Sequence, residues 1–138
     1  MLSRRGALWT AMVMLALGVT ASLMAGCRSA NLTPEQVLRL IQGREGGADL
    51  GILDVRTPQE FAAGHLRGAV NLDIQAPDFE SRLGTLNRGK THVVYCRTGN
   101  RSARAIQSME RLGFRSVLHM PEGIVGWERR GFPLSRSS

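Results

Sequence analysis

The stretch THVVYCRTGNRSARAIQSMERLG, residues 91–113, leaves few folds open. Residues 91–96 are β-branched and aromatic with no acidic or basic side chain beyond a histidine, the composition of a strand buried on both faces. Residues 102–112 place Ala103, Ile106, Met109 and Leu112 at helical spacing, and Gly113 supplies the stop. A buried strand that passes almost at once into an amphipathic helix is the repeating unit of a parallel sheet.

The same alternation runs through most of the chain. Thr33-Pro34-Glu35-Gln36 is a capping box with proline at the first helical position, and it predicts a helix of about ten residues with Val37, Leu38 and Ile41 on one face, ending at Gly43. GREGGADL follows as a turn. GILDV, residues 51–55, reads as a short buried strand, and a second capping box at Thr57-Pro58-Gln59-Glu60 starts a short helix that ends at Gly64. GAVNL, residues 68–72, is a brief strand. Phe79, Leu83 and Leu86 mark a helix over residues 78–86 that ends near Gly89, SVLHM is another strand, and residues 124–130 form a last helix. The fold class expected is α/β: one domain with a central parallel sheet, helices on both faces and right-handed crossovers. A chain of 138 residues has room for one such domain. In open sheets of this kind ligands sit at the carboxyl ends of the strands, and Cys96 lies at that end of the best one.

The first 26 residues follow another pattern. Arg4 and Arg5 precede an uncharged run from Gly6 to Gly26, the order of an export signal. The local string LMAGC resembles the lipobox of bacterial lipoproteins, which implies lipidation at Cys27. The domain boundaries expected are therefore a signal at 1–26, a lipidated polar tether at 27–32, the folded domain at 33–134 and a polar tail at 135–138. An uncleaved membrane anchor is the alternative, since about 20 apolar residues span a bilayer, and SRR hints at a twin-arginine signal. Each reading places the domain outside the cytoplasm, held at the cell membrane or the outer membrane. Arg28 stands where inner-membrane lipoproteins carry an acidic retention residue, which favours the outer membrane.

Without Arg4 and Arg5 the 18 basic residues fall to 16 against 11 acidic ones, a net charge of +5, and Lys90 is the single lysine. Such a surface suits small anions or anionic lipid, or is simply solvated arginine. One tyrosine and no basic stretch with interleaved aromatics argue against nucleic acid as a partner.

There are two cysteines, Cys27 and Cys96. With Cys27 lipidated, Cys96 has no disulfide partner in its own chain, so it is either buried and inert or present to react. Residues 97–102 are expected to curl between strand and helix with their backbone N–H groups inward, a nest for an anion at the positive end of the helix. Gly99 takes positive φ freely and Asn100 tolerates it. Arg97 and Arg101 add positive charge at the rim, which lowers a thiol pKa and attracts an anionic substrate.

The run CRTGNRSARA, with DVRTPQEFAAGHLRGAVNL before it and GIVGWERRGFP after it, resembles a single-domain rhodanese, a sulfurtransferase homology domain. The resemblance covers residues 32–133. It implies a persulfide on Cys96, cradled by Arg97, Thr98, Gly99, Asn100, Arg101 and Ser102, with no metal and no organic cofactor. A basic residue after the cysteine implies thiosulfate or a similar donor, with a thiol, cyanide or another protein as acceptor. Asp54 and Arg56 match the DVR signature and are expected to support the loop as a charged pair. His65 is expected to make a structural hydrogen bond, and Trp127 to pack the last helix on the sheet. Many members have two glycines where this chain has Glu122-Gly123, so a carboxylate near the pocket mouth is expected, to oppose Arg97 or to weaken binding of a dianion. A membrane-anchored persulfide carrier or binding module without turnover is the alternative. A cysteine phosphatase or arsenate reductase fits less well, because those loops have one more residue between cysteine and arginine than separates Cys96 from Arg101.

Overall fold

The computed structural model describes residues 26–43 and 49–137. Residues 1–25 of the expected export signal, residues 44–48 of the first turn and Ser138 lie outside these. The elements run β1 (Arg28–Asn31), α1 (Pro34–Gln42), β2 (Leu50–Asp54), α2 (Pro58–Ala63), β3 (Val70–Asn71), α3 (Phe79–Gly84), β4 (Thr91–Tyr95), α4 (Asn100–Arg111), β5 (Ser116–His119) and α5 (Gly123–Arg129). The five strands pair in the order β1-β5-β4-β2-β3, and every pairing is parallel.

The period-two pattern of the strands divides the core into two layers. Val93 and Tyr95 of β4 join Ile52, Met120, Ile124, Trp127 and Val37 on the face covered by α1 and α5. Val94 and Cys96 point the other way, into Leu53, Phe79, Leu83, Ile106, Met109 and Val117 under α3 and α4. Both capping boxes form, with the Thr33 and Thr57 side chains accepting from the N–H groups of Gln36 and Glu60. Trp127 is buried and donates its indole N–H to the Pro133 carbonyl at 3.0 Å.

Three local readings differ from the sequence. The segment read as a polar tether contains a strand: β1 lies along β5, and its backbone is fixed further by Arg28 N–H to the Arg115 carbonyl and Leu32 N–H to the His119 carbonyl. Its side chains are exposed and non-periodic, so only the unfilled edge of β5 brings it into the sheet. Helix α4 starts at Asn100, two residues before Ser102, because Gly99 turns the chain in the left-handed region (φ 97°) and its carbonyl accepts from Ala103 at once. Helix α3 stops at Gly84, where an Asn87 side chain caps the Gly89 N–H and turns the chain towards β4.

A fully buried carboxylate ties the strand ends together. Asp54 of β2 accepts from the Tyr95 hydroxyl at 2.7 Å, and from the Arg56 side chain at 2.6–3.1 Å and its N–H at 3.0 Å. Arg56 also donates to the Gly64 carbonyl after α2, and Asn71 of β3 donates to the carbonyls of Asp54 and Arg56. Removing one partner leaves the others buried and unpaired, so Asp54→Ala is expected to cost about 3–5 kcal/mol in urea unfolding. A loss below about 1 kcal/mol would show that the cluster does not carry the strand ends.

Candidate active site

The sequence turns from strand to helix within four residues, and the sulfur sits inside that turn. Cys96 follows β4 directly and is only 1 % exposed. The left-handed Gly99 aims its own N–H back at Sγ, 3.1 Å away. Ser102, in the first turn of α4 and wholly buried, places its hydroxyl 3.3 Å from Sγ. Burial raises the pKa of the thiol, but the Ser102 hydroxyl and the backbone amides of Ser102, Gly99 and Thr98 outweigh it, and the net shift is downwards. These donors, at the N-terminus of α4, favour the sulfur as an anion.

The turn is clamped from the side by α5. Ile124 N–H donates to the Cys96 carbonyl at 2.9 Å and Val125 N–H to the Arg97 carbonyl at 3.3 Å. The approach is so close that a Cβ on Gly123, itself at φ 61°, would lie 2.2 Å from the Arg97 carbonyl oxygen. A Cβ on Gly99 would meet the Pro121 carbonyl oxygen at 2.4 Å. Both glycines are required by space as well as by φ.

The arginines of the loop differ in their surroundings. Arg101 reaches across to α2 and forms a bidentate pair with Glu60 at 2.7 and 2.8 Å. That hydrogen bonding, ahead of any other cause, pushes the Glu60 carboxyl down to about 2. The charge of Arg101 is therefore largely matched, and it ties the start of α4 to the start of α2. Arg97 is exposed and lines a cleft of roughly 220 Å³ with Arg56, Gly64, Ile124, Val125 and Glu128. Thr98 and Asn100 are exposed beside it. Asp54 and Arg56 sit behind the loop, joined to it through Tyr95, the residue before Cys96. His65 is apart from the sulfur: its Nδ1–H donates to the Phe61 carbonyl at 2.8 Å and its ring stacks on Phe61.

This geometry agrees with comparison to known proteins. The family model for the rhodanese-like domain matches residues 33–130. The chain belongs to the rhodanese-like domain family. It is 34 % identical over 114 residues to thiosulfate sulfurtransferase GlpE of Pseudomonas aeruginosa, covering 78 % of this chain and 90 % of that protein. It is 31 % identical over 117 residues to the probable adenylyltransferase/sulfurtransferase MoeZ of Mycobacterium tuberculosis, covering 84 % of this chain but 29 % of the longer protein. The crystal structure of a rhodanese-related protein from Thermoplasma volcanium superposes with a TM-score of 0.66 at 26 % identity, covering 78 % of this chain and 98 % of that one.

Within this rhodanese-like domain the expected opposition between Glu122 and Arg97 does not occur. The Glu122 carboxylate pairs with Arg130 at 2.8 and 3.1 Å, and Arg130 also holds Glu35 of α1. Glu122 has an ordinary right-handed helical backbone (φ −68°), which any residue adopts. Gly126, one turn on, leaves the space its side chain occupies.

Two residues of the site escape the sequence reading. Glu60 looks complete as the partner of Thr57 in a capping box, and its second role depends on Arg101, far along the chain. His119 looks like one more strand residue, yet its Nε2 lies 2.7 Å from Ser102 Oγ.

The Glu60–Arg101 pair has a signature in acid. Glu60 has a lower pKa folded than unfolded, so its stabilisation is complete above an unfolded value of about 4.3 and is lost as pH falls towards 2. The melting temperature of Arg101→Gln is expected to fall less steeply than that of the parent across that window; parallel curves would deny the pair any role in acid stability.

Proposed function

We propose that this rhodanese-like chain is a sulfurtransferase that carries sulfur as a persulfide on Cys96, with thiosulfate or a closely similar anion as donor. The observation that carries the reading is the Cys96 sulfur itself, buried at the start of α4 with the Gly99 N–H and the Ser102 hydroxyl directed at it. In the first step the thiolate attacks the outer sulfur of thiosulfate. The new S–S bond forms as the old one breaks, and sulfite leaves with the bonding pair. The resulting persulfide anion rests on the same N–H groups that held the thiolate. A nucleophilic acceptor, a thiol or cyanide, then takes the outer sulfur and regenerates the thiolate.

Arg97 is an exposed cation at the approach, and a divalent anion is attracted by it. The pairing of Glu122 with Arg130 removes a carboxylate that would oppose that attraction. GlpE of Pseudomonas aeruginosa bears the name thiosulfate sulfurtransferase, which supports the same donor class here. A relative in Bacillus subtilis, 29 % identical over 100 residues, is named a putative sulfur carrier protein, so a protein acceptor is the second possibility for the outgoing sulfur.

The location proposed is a membrane surface outside the cytoplasm, with lipid on Cys27. LMAGC and the basic, apolar order of the residues before it support this.

Treated with thiosulfate, the reduced full chain is expected to gain the mass of one sulfur atom, to lose it again to cyanide, and to show no gain as Cys96→Ser. A folded, reduced parent that gains nothing would overturn the persulfide reading. Expressed in a bacterium with a lipoprotein pathway, the chain is expected in the membrane fraction with added lipid mass. Cys27→Ala should lose that mass, and an unmodified parent would remove the proposed lipid.

A further inference from the structure

Ser102 Oγ has three neighbours that could take its proton: Cys96 Sγ at 3.3 Å, the Gly99 carbonyl at 3.0 Å and His119 Nε2 at 2.7 Å. A hydroxyl has one proton to give. The sulfur anion and the carbonyl can only accept, so the state of His119 Nε2 decides where that proton goes. If Nε2 is bare, the shortest contact draws the proton to the ring and leaves oxygen lone pairs facing a negative sulfur. If Nε2 carries hydrogen, it donates to Oγ, and the hydroxyl is released to donate to the sulfur.

Two observations select the second arrangement. A bare Nε2 would leave one hydroxyl proton among three acceptors, the Gly99 carbonyl included, whereas an Nε2–H adds a second donor to the cluster. That carbonyl already accepts the Ala103 N–H at 3.0 Å, so the charged sulfur is the stronger attractor for the Ser102 proton. His119 reaches this place because it ends β5 on the face covered by α4, in register with Val94 of β4, on the same side of the sheet as Cys96. The same residue lines a cleft of roughly 280 Å³ with Ser29, Ala30 and Asn31 of β1 and Ala103 and Ile106 of α4, separate from the cleft at Arg97.

We propose that His119 is a positioning residue for Cys96: as the Nε2–H tautomer it donates to Ser102, and so directs the Ser102 hydroxyl proton onto the sulfur. This rests on Cys96 being the reacting sulfur. The chain His119–Ser102–Cys96 stabilises whichever anion the sulfur carries, thiolate or persulfide, and it acts entirely through the hydroxyl.

The test reads the thiol without any sulfur donor, so it stands even if persulfide formation fails. In the full chain with Cys27→Ser, where Cys96 is the single thiol, the pH profile of iodoacetamide alkylation is measured for the parent, His119→Phe, His119→Gln, Ser102→Ala and the Ser102→Ala/His119→Phe pair. His119→Phe is expected to move the midpoint up by about one pH unit, a tenfold smaller thiolate fraction below it. His119→Gln, which keeps an N–H donor at the end of the side chain, should recover most of the shift. In the Ser102→Ala background His119→Phe should add nothing, because the two residues act in series. An unmoved midpoint in His119→Phe, no recovery in His119→Gln, or a further shift in the double variant would each overturn the assignment. ¹⁵N chemical shifts of His119 in the unmutated protein give a check that needs no folded variant: a proton on Nε2 supports the chain of donors, and a proton on Nδ1 alone overturns it.

Discussion

The Asp54 carboxylate is the constraint on which the rest of this structure depends. It is fully buried, which is tolerable only because Tyr95 and Arg56 supply hydrogen bonds and opposite charge. Burial, and then the Asp54 charge, push the Tyr95 hydroxyl well above its ordinary pKa, so it stays a proton donor. Tyr95 accepts in turn from the Leu66 N–H, and Arg56 takes the Gly64 carbonyl. One acidic group thus determines where β4 ends and where the chain after α2 returns. The residue after Tyr95 is Cys96.

From that fixed point the site is assembled almost wholly from main chain. The N–H groups of Gly99, Ile124 and Val125 are used to hold the sulfur, the Cys96 carbonyl and the Arg97 carbonyl. Side chains then set the relation between elements: Arg101 to Glu60 joins α4 to α2, and Arg130 joins α5 to α1 and to Glu122. Among the described residues no ion pair holds Arg97 at the approach, while Arg101 is committed to structure through Glu60. Arg97 in the turn and Arg101 in the first turn of α4, chemically identical, are given different work by what lies across from them.

How much of this could be read beforehand depends on the range of the interaction. Local signals were sufficient for the two capping boxes, the uncharged β4 and the apolar stripe of α4, since each is set by residues within a few positions. The parallel sheet followed from their alternation, and the three motifs around Cys96 led to the rhodanese-like family. The start of α4 lies beyond such signals because the conformation of Gly99 decides it, and a glycine admits either hand. β1 leaves no such signal because its residues carry no strand pattern and are ordered by the edge they fill. Glu60–Arg101, Glu122–Arg130 and Ser102–His119 join distant elements, and no local spacing encodes such pairs.

The order of β1 has a consequence for orientation. All five strands run the same way, so the amino ends of the strands share one pole of the domain and the Cys96 turn lies at the other. Cys27 comes immediately before β1, half-buried against the core layer under α3 and α4, with no slack between it and the sheet. The four residues of β1 alone span about 13 Å along the strand direction. Cys27 therefore lies at the pole of the domain opposite the Cys96 thiol. The two cysteines of the chain thus stand at opposite poles of the sheet, and the Cys96 turn faces away from the end at which β1 begins.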